Sequence, residues 1–165
     1  MGKFTSDKAE WQFDTVAQEY CQACHKTMEA LTETDVNIIW DRAANHISMF
    51  VTWLIDCGLL SKEHEENQKE IQAVRERKMT GFEYLLNICD LKLLRTDIAR
   101  KAFKFMDHYY EAEGDHSYLQ EYCDCMENNG KEVLATCFSW EDYEAIRTKV
   151  LDPAYQAYLE SKKKF

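Results

Sequence analysis

Ala43-Ala44-Asn45-His46-Ile47-Ser48-Met49-Phe50-Val51-Thr52-Trp53-Leu54-Ile55-Asp56-Cys57, followed by Gly58, is the stretch that decides the fold. Its polar residues Asn45, Ser48, Thr52 and Asp56 recur at helical spacing and make one narrow edge. Nearly everything else is apolar or aromatic, so the segment predicts a helix at the centre of the fold. Gly58 is a helix stop.

Working outward, the chain reads as further helices. An N-terminal helix is predicted over Ser6–Leu31, with the stripe Phe13, Val16, Ala17, Tyr20, Cys24, Met28 and Leu31. Thr32–Trp40 reads as a connector, with Val36, Ile38 and Ile39 extended. Ser61 can cap a helix reaching Lys78, acidic early and basic late, as the helix dipole favours. Thr80-Gly81-Phe82-Glu83 is a capping box for a short helix bearing Phe82, Leu85, Leu86 and Cys89. Thr96 can cap a helix bearing Ala102, Phe103, Met106, Tyr109 and Tyr110. Asp115 can cap another bearing Tyr118, Leu119, Tyr122 and Met126, closed at Asn128-Asn129-Gly130. Val133–Phe138 is ambiguous and can be a short extended piece. Ser139 opens a helix with Tyr143, Ile146 and Val150, and Asp152-Pro153 predicts a kink.

Five glycines and one proline in 165 residues are too few for an all-β fold. At 45% hydrophobic, the chain can build one core. The expectation is an all-α, single-domain bundle over 1–165, with the 1–32 helix packed on a core spanning 40–160. No signal segment opens the chain, and its longest apolar stretch is too short to cross a bilayer. Seven cysteines, an odd number, read as reduced thiols in a cytoplasmic protein.

The formal net charge is -10. That disfavours nucleic acid and anionic membranes as partners. Between Lys104 and Lys131 lie Asp107, Glu111, Glu113, Asp115, Glu121, Asp124 and Glu127 with no lysine or arginine. Tyr109, Tyr110, Tyr118 and Tyr122 are interleaved. Massed carboxylates attract a basic partner at long range, and tyrosine suits an interface. The plainer alternative is a solvated surface that keeps the protein soluble. Asp107, Tyr110, Glu111, Glu113, Asp115, Tyr118, Glu121, Asp124 and Glu127 are therefore the candidate partner-binding residues. Glu63, Glu65, Glu66 and Glu70 form an alternative patch.

Cys21-Gln22-Ala23-Cys24-His25 matches the spacing of covalent haem attachment. Haem attachment requires export, and the two thiols already fit the first helix as structural cysteines. His46 lacks a carboxylate orienter among its sequence neighbours, although a spatial neighbour can supply one. Asp107, Glu111 and Asp115 share a spacing of four, but no Glu-x-x-His motif accompanies them. No phosphate-binding, zinc-protease or nucleophile-elbow motif is present. The residues predict no catalytic group, no metal and no cofactor.

The motifs from Trp40 onward resemble an uncharacterised family of bacterial helical proteins. They are the His46–Ile55 run, Met79-Thr80-Gly81, Cys89-Asp90-Leu91-Lys92-Leu93 and Trp140-Glu141-Asp142-Tyr143. Members tend to carry glycine at the position of Ser48 and lack the long N-terminal helix. The resemblance implies no enzyme activity. It implies the company of small acidic cytosolic proteins of toxin–immunity loci. The functional expectation is an immunity protein that binds a cognate toxin domain, a basic nuclease. The alternatives are a regulatory or adaptor domain with another basic protein partner, and a redox or haem protein using Cys21, Cys24 and His25.

Overall fold

A computed structural model describes residues 3–112 and 116–163. The fold is mainly helical, with one small sheet. The elements in order are β1 (Ser6–Lys8), α1 (Glu10–Cys24), α2 (Glu33–Asp56), α3 (Gln68–Arg75), α4 (Gly81–Asn87), β2 (Lys92–Leu94), α5 (Phe103–Tyr109), α6 (Tyr118–Asn128), α7 (Trp140–Ile146) and α8 (Asp152–Lys163). No helix among the described residues is long and apolar enough to cross a membrane.

α2 is the axis of the molecule, as its composition predicts. Its residues from Ala43 to Ile55 are buried on every side, His46 alone being half-buried. It begins earlier than expected: the supposed connector Thr32–Trp40 is its first turns. The β-branched Val36, Ile38 and Ile39 favour extension only weakly. A complete capping box between Thr32 and Asp35 outweighs them, and Ile39 gains full burial.

The polar edge of α2 is not wet. Asn45, Ser48 and Thr52 are buried. The Thr52 hydroxyl donates to the Ser48 carbonyl at 2.7 Å. These small residues let α4 approach closely through Gly81, where a Cβ would lie 2.6 Å from the Ser48 carbonyl oxygen. Asp56, at the end of the edge, accepts from both terminal nitrogens of Arg77 and from the Tyr143 hydroxyl.

The N-terminal segment divides differently from the predicted Ser6–Leu31 helix. Ser6–Lys8 pairs antiparallel with Lys92–Leu94, in register Asp7 to Leu93. The alternation of a strand turns Asp7 inward while Ser6 and Lys8 stay half-exposed. α1 then stops at Cys24, with His25 left-handed at φ 54°. Its stripe is therefore shorter than read. Val16, Ala17 and Tyr20 pack on Ile39 and Ala43 of α2, whereas Cys24 and Met28 are exposed.

Other boundaries shift for identifiable reasons. Ser61 does cap, but the turn Lys62–Asn67 is 3₁₀ before α3 begins. His64 is drawn inward there by Tyr84 and Asp97. Thr96 does not cap the next helix: it lies within a 3₁₀ turn, Arg95–Asp97, and α5 starts at Phe103 after Ala102, with no side-chain cap. Ser117 caps α6; Asp115, the expected cap, lies outside the described residues. Val133–Ala135 is a 3₁₀ turn. Ahead of Pro153 the helix widens into a π turn, Arg147–Leu151, and runs on into α8. The looser turn tolerates a residue that has no N–H to donate.

Asp41 on α2 accepts the Phe138 N–H at 2.9 Å. Burial nonetheless pushes its carboxyl up to about 6, against an ordinary 3.8. A carboxyl raised on folding contributes stability below its unfolded value and loses it as pH rises through the folded one. Asp41→Asn should therefore stabilise the protein at neutral pH by roughly 1–3 kcal/mol, since the amide oxygen can still accept that N–H. Urea unfolding near neutral pH and near pH 4 checks this, with the gain expected to vanish at the lower pH.

Candidate functional site

Among the described residues, the acidic run of the sequence does not form one open surface. Asp107 accepts from both terminal nitrogens of Arg95, at 2.6 and 3.2 Å, and from the Phe4 N–H. This pairing holds its carboxyl below the usual range. Tyr110 and Tyr118 are fully buried and cannot act as surface anchors. Their hydroxyls donate to Asp7 at 2.8 Å and to the His46 carbonyl at 2.5 Å. Glu121 accepts from the Tyr109 hydroxyl at 2.7 Å. Asp124 is exposed but shares a hollow with Lys149 and His116. Glu111 and Glu127 are exposed, and Glu113 and Asp115 lie outside the described residues. Cations remote in sequence thus return to the acidic run in space, and aromatic packing consumes its tyrosines. In the alternative patch, Glu63, Glu65 and Glu66 are exposed and Glu70 is half-buried. Lys62 and Lys69 intersperse them.

A different surface combines exposed carboxylates with an exposed aromatic ring. α1 carries Glu10, Asp14 and Glu19, all exposed, and no lysine or arginine occurs between Lys8 and Lys26. Trp11 stands among them at 56% exposure, the largest value among the exposed large hydrophobics. Trp11, Asp14 and Gln18 lie on one face, because residues three, four and seven apart align on a helix, and the exposed Glu10 and Glu19 flank it on either side. The face opposes the Val16-Ala17-Tyr20 stripe, so the helix is fixed in rotation by its packing. The Lys8 ammonium lies 5.8 Å from the centre of the Trp11 ring, so this ring already accommodates a cation. The sequence contained the signal, since Trp11 sits off the apolar stripe.

His46 does find a carboxylate. Its Nε2 lies 3.0 Å from Asp7 Oδ2, supplied by β1. Burial alone would raise the Asp7 carboxyl. The His46 hydrogen bond and charge, with the Tyr110 hydroxyl, outweigh that and hold it below its ordinary value. Among the described residues no serine, threonine or cysteine side chain hydrogen-bonds to His46, so the pair lacks a nucleophile. It fastens β1 to the middle of α2.

A second histidine, His64, lies between Tyr84 and Asp97, at 2.6 and 2.8 Å. Cys89 completes a group of possible metal donors there. Separations of 25 and 8 residues match no metal-binding pattern, which is why the sequence did not betray it. The Cys-x-x-Cys-His pattern, by contrast, falls on the end of α1. Cys21 is half-buried with its thiol 3.6 Å from the Met28 sulfur, and Cys24 and His25 are exposed.

A family model described as a domain of unknown function, DUF7832, matches residues 5–136. The chain belongs to this family. No curated protein and no solved structure matches it. The DUF7832 match begins ahead of α1, so the N-terminal helix lies within the family domain. It ends before Trp140, leaving α7 and α8 outside. The acidic face of α1, the Asp7–His46 pair and the His64 cluster all fall inside DUF7832.

Proposed function

We propose that this protein is an immunity protein of the producing cell's cytosol, which binds a basic toxin domain, a nuclease, and blocks its active site without chemistry of its own. The outer face of α1 carries the reading: an exposed tryptophan among Glu10, Asp14 and Glu19, with no lysine or arginine on the helix. Nuclease domains are basic because they bind phosphate backbones. A carboxylate face competes for the same cationic surface and speeds encounter with it. A rigid aromatic anchor then slows departure. The company of toxin–immunity loci that the motif resemblance implies for this family supports the same reading. A regulatory domain with another basic partner would use the same face, and only the partner separates the two.

The test is co-expression with the toxin domain encoded beside this chain's gene. The parent chain should protect the cells. Trp11→Ala should leave the fold intact, since the ring is exposed, and raise the dissociation rate roughly thirtyfold, a hot-spot loss of about 2 kcal/mol. A neighbouring gene product that neither binds nor is neutralised would refute immunity. Unchanged dissociation of Trp11→Ala would remove α1 as the interface.

A further inference from the structure

We propose that His64, Cys89 and Asp97 form a binding site for a single zinc ion. Three separate segments converge on it: the 3₁₀ turn Lys62–Asn67, the bend just after α4 and the 3₁₀ turn Arg95–Asp97. A ring nitrogen of His64, the Cys89 sulfur and a carboxylate oxygen of Asp97 all lie within 4.8 Å of one another. Zinc bonds of about 2.0–2.3 Å place tetrahedral ligand atoms roughly 3.3–3.7 Å apart. The group can close on an ion by side-chain movements of about an ångström or less. The His64–Asp97 hydrogen bond of 2.8 Å would open as it does so.

The supporting contacts are those a metal centre uses. Tyr84, with its ring fully buried, meets His64 Nδ1 at 2.6 Å and so fixes the ring, leaving Nε2 directed at Asp97. When zinc takes Nε2, the proton resides on Nδ1 and is donated to the phenol oxygen. Asp97 Oδ2 is held by the Leu94 N–H at 2.8 Å, which frees Oδ1 for the ion. A hydrogen-bonded core histidine accounts for Tyr84, His64 and Asp97, but not for a thiol within 4.8 Å of both the imidazole and the carboxylate. The Cys89 thiol gives its proton to solvent as the sulfur–zinc bond forms. Thiolate, imidazole and carboxylate together suit zinc and not calcium or magnesium. Three protein ligands leave the fourth position to solvent. Cys89 and Asp97 are only half-buried, so solvent reaches that side of the group.

The full chain, reduced and stripped of metal, is titrated with cobalt(II) and then with zinc. One cobalt per chain should bind, with a sulfur-to-cobalt charge-transfer band that zinc abolishes, and zinc should raise the thermal midpoint. Cys89→Ser should lose the band. Cys21→Ser combined with Cys24→Ser should keep it. Asp97→Asn should weaken binding by roughly tenfold or more. Should Cys89→Ser fail to fold, Asp97→Asn decides, and unchanged affinity in it overturns the site. Absence of the band in the parent chain, its survival in Cys89→Ser, or its loss with Cys21 and Cys24 would each overturn it too.

Discussion

Gly81→Ala should destabilise the protein by at least about 3 kcal/mol, although alanine is the better helix former. The added methyl would meet the Thr52 hydroxyl at 1.8 Å and the Ser48 carbonyl at 2.6 Å. The hydroxyl can rotate away, at the loss of its hydrogen bond to that carbonyl. The carbonyl belongs to the backbone of the central helix and cannot. α4 must therefore move off α2, which opens the packing around Leu85 and Tyr84, both fully buried. Gly130→Ala is the contrast: its φ of +75° costs about 1 kcal/mol, but nothing lies within 4 Å of the new methyl. Urea unfolding of both variants checks the difference.

Phe50→Ala should cost about 3–5 kcal/mol. The ring is fully buried on α2. It meets Tyr110 and Tyr118 edge-on, with ring centres 4.9 and 4.8 Å apart. Those tyrosines are tethered by their hydroxyls to Asp7 and the His46 carbonyl, so they are poorly placed to collapse into the space. The loss combines burial, an unfilled cavity and two aromatic pairs. Equilibrium unfolding with unchanged near-native helix content at zero denaturant would establish it.

The central helix was legible because α2 is apolar nearly all round, a pattern that only a buried helix satisfies. The capping residues Thr80, Ser139 and Ser61 were legible for a similar reason, since a cap acts within three residues of itself. What escaped depends on distant partners. β1 is only three residues long, and its pairing with β2 leaves almost no local periodicity to read. The pairing within the acidic run was not legible, because spacing along the chain says nothing about Arg95 turning back to Asp107. Tyr110 and Tyr118 were not legible as core because their hydroxyls found buried acceptors, so rings that suit an interface suited the core equally well. The Asp7–His46 pair and the His64–Cys89–Asp97 group are assembled by folding alone.

The most direct measurement is the association rate of the triple variant Glu10→Lys, Asp14→Lys, Glu19→Lys with the basic toxin domain, at low and high salt. These carboxylates are exposed, so they act through water over about 8 Å at physiological ionic strength. The variant should associate roughly tenfold more slowly than the parent at low salt, and the two should converge at high salt. Reversing Glu111, Asp124 and Glu127 should have the smaller effect, because Lys149 shares the hollow that Asp124 lines. An α1 triple variant that associates as fast as the parent at low salt would contradict the account.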